Sequence, residues 1–239
     1  MITSALGGVA DLLLPPSCAL CGELVDHPKT PVCPICREGF EKIPPPLCPR
    51  CGQPFVGAGL CPDCRADDSA IVMLRSGFAF GGSMSQAILR LKYGHKRQLA
   101  PYLARMLICP GMPDMDFATC DLLIPVPLHR KRIAERGFNQ SALLAREIGA
   151  VLHIPTAPNA LVRTRPTVSQ SRMQSRRQRA ENLRGAFALR PGIRIAGKRV
   201  CIVDDVVTTG ATLEACARAL LAARPASLVG ITLARTLHS

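Results

Sequence analysis

Apolar positions in this chain fall into strand-length runs separated by stretches of helical spacing, and that alternation sets the expected fold. Leu122, Leu123 and Ile124 form one run, closed by Pro125; Val200, Cys201, Ile202 and Val203 form another, and residues 228–233 a third. Such runs, apolar throughout, suit strands covered on both faces. Residues 76–80 predict a further short strand, after which Gly81-Gly82 predicts a turn into a helix over 83–91. Residues 139–152 put Leu143, Leu144, Ile148 and Val151 on one helical stripe, and residues 99–109 and 211–223 also read as helices. Strands alternating with helices imply an α/β fold with a mostly parallel sheet flanked by helices. Right-handed crossovers then bring the strand-end loops to one edge.

Upstream, Leu6, Val9, Leu13 and Leu14 have the spacing of a short docking helix. This segment has no cationic start and meets Pro15-Pro16 rather than a small-residue cleavage site, so no secretory signal is expected. The apolar runs are too short to span a bilayer, and a cytoplasmic location is the expectation.

Residues 15–66 break the pattern. Eight of the twelve cysteines form four Cys-x-x-Cys pairs: Cys18/Cys21, Cys33/Cys36, Cys48/Cys51 and Cys61/Cys64. Gly22 and Gly52 follow the first and third pairs, while the second and fourth read Cys-Pro-x-Cys-Arg, so one unit is repeated in tandem. Four thiolates around Zn²⁺ make a closed, structural site. Two zinc ions are expected, paired sequentially or interleaved. A redox role suits one Cys-x-x-Cys near a βαβ unit better than four among Pro and Gly. With few apolar residues, the metal itself would supply folding free energy, on the order of 10 kcal/mol per site. Cys109, Cys120, Cys201 and Cys216 lie in apolar surroundings and are expected to be buried packing residues. The expected organisation is a zinc-ribbon unit over 1–66, a polar linker over 66–70, and a second domain over 75–239.

The run ending at Val203 meets two carboxylates, Asp204 and Asp205, and then Val206, Val207, Thr208, Thr209, Gly210, Ala211 and Thr212 before an Ala/Leu-rich helix. A loop feeding a helix N-terminus offers N–H groups and hydroxyls to a phosphate, and acids at the carboxyl end of a strand in an open α/β sheet stand where ligands bind. The whole stretch resembles the phosphoribosyl pyrophosphate (PRPP) signature of type I phosphoribosyltransferases. That resemblance implies that Asp204 and Asp205 hold the ribose hydroxyls and that residues 208–212 wrap the 5-phosphate, with Mg²⁺ accompanying PRPP. Thr208 stands where purine-salvage relatives carry an acid, which argues against a purine acceptor.

Pro125-Val126-Pro127-Leu128-His129, basic residues, and then Arg136-Gly137-Phe138-Asn139-Gln140 resemble the motifs of the ComF family, as does the arginine-rich stretch 161–187. The resemblance makes Val126, Pro127 and Leu128, with Arg130 and Lys131, the pyrophosphate loop. Pro127 has no N–H to give. His129 reads as a loop residue rather than an essential base. In 161–187, Gln170, Arg172, Arg176, Arg177 and Asn182 are candidates for a flexible loop closing over pyrophosphate; a basic connection without that role fits the spacing equally well. The ComF resemblance further implies a link to competence or DNA utilisation. The alternative it leaves open is a non-catalytic module binding PRPP and single-stranded DNA beside a helicase-like ATPase.

Charge agrees with acidic partners. The chain of 239 residues has a formal net charge of +13 and a pI near 9.6, which suits phosphorylated metabolites or nucleic acid. Seven Phe, two Tyr and no Trp leave little for a base-stacking platform.

Overall fold

The computed structural model describes residues 15–25, 30–94, 96–109, 112, 114–165 and 181–237. The expected docking helix within 1–14 lies outside them.

The tandem repeat is visible in the backbone. In each ribbon a Cys-x-x-Cys-Gly knuckle turns through a left-handed glycine, Gly22 at φ 87° and Gly52 at φ 70°, a region in which side chains are strained. Cys18 N–H donates to Glu23 O and Cys48 N–H to Gln53 O, at 2.7 and 2.8 Å. The second half of each ribbon is a single helical turn, α1 (Pro34–Glu38) and α2 (Pro62–Arg65), with Cys33 and Cys61 as N-caps and proline at the first helical position. Proline there is pre-set for the turn and sacrifices no hydrogen bond.

The second unit begins with β1 (Met73–Ala79), then α3 (Gly82–Tyr93) and α4 (Leu99–Ile108). A 3₁₀ turn (Phe117–Thr119) leads into β2 (Leu122–Pro125). Helices α5 (Arg130–Arg136) and α6 (Gln140–Leu152) follow. A short antiparallel hairpin, β3 (Leu161–Arg163) with β4 (Phe187–Leu189), precedes β5 (Arg199–Val207), α7 (Ala211–Leu221) and β6 (Ser227–Arg235). The main sheet has the order β1-β6-β5-β2 and is parallel throughout.

Alternation along the strands divides the core in two. Leu123, Cys201, Val203, Ile231 and Leu233 face α3, α4 and α6. Leu122, Ile124, Val200, Ile202 and Leu228 face α7 and the hairpin. The first ribbon joins the former core through Ala19, Leu20, Val32 and Phe40. Phe40 meets the fully buried Phe78 edge-on, ring centroids 5.7 Å apart. The second ribbon keeps a small cluster of its own, Cys48, Cys61 and Cys64 with Phe55 and Leu60. It is tied to the sheet by polar contacts instead.

Topology fixes where a ligand can sit. From β2 the chain passes through α6 and returns outside β2, where Thr156 bridges Leu123 in parallel. From β5 it passes through α7 to β6, on the opposite side. Strand order therefore reverses between β2 and β5, and a crevice opens beyond their carboxyl ends.

Two expectations about side chains need correction. Val151, at the margin of the α6 stripe, is 41% exposed, whereas Leu144 and Ile148 are buried. Cys109 is exposed at the end of α4, while Cys120, Cys201 and Cys216 are buried as expected.

Candidate functional site

Strand β5 does not stop at the carboxylates; it runs through them to Val207, with Asp204 opposite Thr232 of β6. Both acids are therefore buried, at 8% and 4% exposure, and each needs partners. The N-terminal turn of α6 supplies several. Ser141 Oγ donates to Asp204 Oδ1 at 2.8 Å, and Gln140 Nε2 donates to Asp205 Oδ1 at 3.4 Å. Asp205 N–H also donates to Asp204 Oδ1, at 2.9 Å. Lys92, from the last turn of α3, pairs with Asp205 Oδ2.

The Arg136-Gly137-Phe138-Asn139-Gln140 stretch builds this shell. Gly137 ends α5 in the left-handed region at φ 79°. Asn139 caps α6 by accepting from Ser141 N–H and donates its Nδ2 to Val126 O at 2.9 Å. Buried Arg136 donates to Gln140 Oε1 and lies over the Tyr93 ring at 4.9 Å. Burial, followed by the charge of Asp205, raises the Asp204 pKa to about 7, although Ser141 and Lys92 act against the rise. Asp204 is thus a buried acid beside a second carboxylate, and Lys92 pairs with its neighbour Asp205.

The loop after β5 is shaped for an anion. Gly210 is left-handed at φ 82°, and no side chain caps α7. As N-cap, Gly210 offers no side-chain acceptor of its own to the first N–H groups of that helix, at its positive end. Thr209 Oγ1 is buried without a hydrogen-bond partner among the described residues. Asp204, Thr208, Gly210, Ala211 and Thr212 line a small recess. Both features fit a phosphate donated into the loop.

Across the crevice, Val126 N–H is bonded to Val203 O at 2.9 Å. With Pro127 lacking an N–H, Leu128 offers the first N–H of the expected pyrophosphate loop with no backbone partner among the described residues. His129 is the N-cap of α5, its Nδ1 accepting from Lys131 N–H at 3.3 Å, as a structural loop residue would. Arg130 and Lys131 open α5. Further along, Arg132 and Arg136 line one open pocket with Lys92, Tyr93 and Glu135. Gln170, Arg172, Arg176 and Arg177 lie outside the described residues.

The eight ribbon cysteines gather sequentially, Cys18, Cys21, Cys33 and Cys36 in one group and Cys48, Cys51, Cys61 and Cys64 in the other. Within each group all four sulfurs lie within 4.8 Å of one another. Cys21 and Cys33, and likewise Cys51 and Cys61, have sulfurs 3.7 Å apart. A tetrahedron with Zn–S bonds of about 2.3 Å has edges of about 3.8 Å, so the spacing fits zinc. Backbone N–H groups donate to Cys18 and Cys48 sulfur, at 3.3 and 3.4 Å, from Cys33 and Cys61. These donors favour thiolates at the two positions, as metal ligation requires.

Comparison with known proteins follows this geometry. Residues 9–65 match the double zinc ribbon domain, and residues 133–239 match the phosphoribosyl transferase domain. The chain is 36% identical over 157 residues to the DNA utilization protein YhgH of Escherichia coli (strain K12), covering 64% of this chain and 68% of that protein. The chain belongs to the ComF family. Competence protein F of Haemophilus influenzae is 34% identical over 135 residues, 55% of this chain and 58% of its own length. Competence protein ComFC of Bacillus subtilis is 29% identical over 196 residues, 77% and 76% of the two chains.

In this ComF protein the sequence motifs contain the buried acid pair, its partner Gln140 and the clustered cysteines, but not Lys92 and Ser141, which also hold the acids. Lys92 and Ser141 carry no motif of their own. Ser141 directly follows the Asn139-Gln140 pair, and a short polar residue in the first turn of a helix was the available signal. Among the described residues, no helix is long and apolar enough to cross a membrane.

Proposed function

We propose that this ComF protein binds PRPP in the crevice between β2 and β5 and transfers its phosphoribosyl group to a nitrogen nucleophile. The carrying observation is the buried Asp204–Asp205 pair on β5, followed at once by a helix N-terminus that no side chain caps. The 5-phosphate rests on Thr208, Thr209, Gly210, Ala211 and Thr212, and the ribose hydroxyls on Asp204 and Asp205. Pyrophosphate points to Leu128, Arg130 and Lys131, with Lys92, Arg132 and Arg136 close behind. Mg²⁺ arriving with PRPP supplies charge neutralisation at the two acids and at the leaving group.

The C1–O bond of PRPP breaks and pyrophosphate leaves with the electron pair. The cationic side chains stabilise the charge that develops on it. The acceptor nitrogen then bonds to C1 and passes its proton to the departing pyrophosphate. Gln170, Arg172, Arg176 and Arg177 would close over the leaving group, a role that rests on the family resemblance. Thr208 in place of an acid directs the choice of acceptor away from purines.

The relatives' names, DNA utilization and competence, support placing this reaction in DNA uptake or use of its nucleotides. Single-stranded DNA is the macromolecule that the basic helix α5, with Arg130, Lys131 and Arg132, suits, with binding that weakens steeply as salt rises.

Pyrophosphate release from Mg²⁺-bound PRPP, measured with a panel of pyrimidines, other nitrogen bases and ammonia, tests the transfer step. Release at least about tenfold above the acceptor-free rate is expected for one class of nucleophile, a barrier difference of about 1.4 kcal/mol. Tight PRPP binding with no acceptor-dependent release would remove turnover from the account and leave a binding module.

A further inference from the structure

The second zinc cluster sits against two buried cations that the phosphoribosyl chemistry does not use. Arg75, on β1, is 2% exposed, and Arg235, at the end of β6, is 3% exposed. They converge on one point of the second ribbon: a Cβ placed on Gly52 would stand 3.4 Å from Arg235 Nη1 and 3.5 Å from Arg75 Nη1. Arg235 Nη1 donates to Cys51 O, and Arg75 Nη2 donates to Pro49 O at 3.0 Å.

One exposed carboxylate offsets part of the Arg75 charge, and none among the described residues pairs with Arg235. The Arg75 ion pair is with Asp114, at 3.7 Å, and the Asp114 side chain is 70% exposed. Nε of each guanidinium has no hydrogen-bond partner among the described residues. Two like charges buried side by side are costly unless an anion lies next to them. The ribbon thiolates supply the rest: after Asp114, Cys48 and Cys51 act on Arg75, and Cys51, Cys48 and Cys64 act on Arg235.

A zinc ion with four thiolates carries a net charge of −2, and two guanidinium groups match it. The first cluster has a different setting. Cys21 is exposed to solvent, and that ribbon is anchored by Ala19, Leu20, Val32 and Phe40. Arg136, the other buried arginine among the described residues, serves Gln140.

We propose that Arg75 and Arg235 are the resident counter-ions of the second zinc tetrathiolate, making that metal centre part of the sheet to which they belong. The first centre has no such debt to the sheet. The contact continues toward the anion loop: Gln53 Nε2 donates to Thr236 O at 3.4 Å, and Thr236 N–H donates to Val207 O at 2.9 Å. Val207 is the residue before Thr208, so the second ribbon braces the strand end from which the loop departs.

The test is zinc release from the full chain under a chelator titration, followed with a colorimetric zinc indicator. The native protein should release two zinc ions per chain, and Cys21→Ser identifies the first site by deleting its release. In Arg75→Met/Arg235→Met the second site should yield its zinc at about 10–100-fold lower chelator concentration, the usual cost of losing an outer-shell partner, with the first site unchanged. Arg235→Lys, which keeps the charge, should resist the chelator more than Arg235→Met. Should the double variant not accumulate as folded protein, that single-residue pair decides the matter by itself. Native chelator resistance at the second site in Arg75→Met/Arg235→Met, or equal release from the Lys and Met single variants, overturns the proposal.

Discussion

Asp204→Asn is expected to make the unliganded protein more stable than the native chain at pH 8 and to leave its stability near pH 4 unchanged. The Asp204 pKa in the folded protein is raised to about 7, chiefly by burial and then by Asp205, against an ordinary value near 3.9. Between those two values the folded state holds the proton more tightly than the unfolded state. Stability is therefore fully present below about pH 4 and falls as pH rises toward 7. Asparagine is neutral throughout and keeps an oxygen for Ser141 Oγ and Asp205 N–H. Each pKa unit corresponds to about 1.4 kcal/mol. Allowing for relaxation of the Lys92–Asp205 pair, the gain at pH 8 should be roughly 1–3 kcal/mol, or a few degrees in Tm. Thermal melts of both proteins at pH 4 and pH 8 check this; a variant no more stable than native at pH 8 contradicts the charge assignment. A carboxylate retained at such a cost is more intelligible as a ligand group than as a packing residue.

Phe78→Ala should cost about 3–5 kcal/mol, the range for deleting a fully buried phenylalanine. Phe78 joins the ribbon to the sheet: its ring has no solvent exposure, meets Phe40 edge-on and lies 4.3 Å from Lys42 Nζ. Domains of ordinary stability hold about 5–15 kcal/mol in reserve, so this one change consumes a large share. Urea unfolding should show a lower midpoint, with the first ribbon and the sheet lost together because they share a core. An unfolding free energy within about 0.5 kcal/mol of native would mean that Phe78 does not couple the first ribbon to the sheet.

Much of the site is legible in the sequence because its chemistry is local. Asp204 and Asp205 are adjacent, the anion loop follows within three residues, and the cysteine pairs repeat at short spacing. A local pattern survives without knowledge of the tertiary fold. The extent of β5 is less legible, because carboxylates ordinarily end a buried strand. Here Ser141, Gln140 and Lys92 supply the partners that let the strand continue through them. Those partners are the least legible part. A lysine in the last turn of a helix reads as a solvated residue favoured by the helix dipole; only the packing of α3 beside β5 turns Lys92 inward. The hairpin is missed for a similar reason, since its three-residue strands lie far apart in the chain and pair through tertiary contact. Val126 illustrates a different limit. The motif assigned its N–H to the leaving group, whereas extension of the β2–β5 ladder commits it to Val203 O.

That the paired acids and the uncapped helix form a seat for an activated pentose phosphate is tested most directly by titration calorimetry with Mg²⁺-bound PRPP. The native chain should bind one equivalent, and Asp204→Ala/Asp205→Ala should bind at least about 100-fold more weakly, a loss of about 2.7 kcal/mol. Equal affinity in the two proteins, with circular dichroism showing both folded, would contradict it.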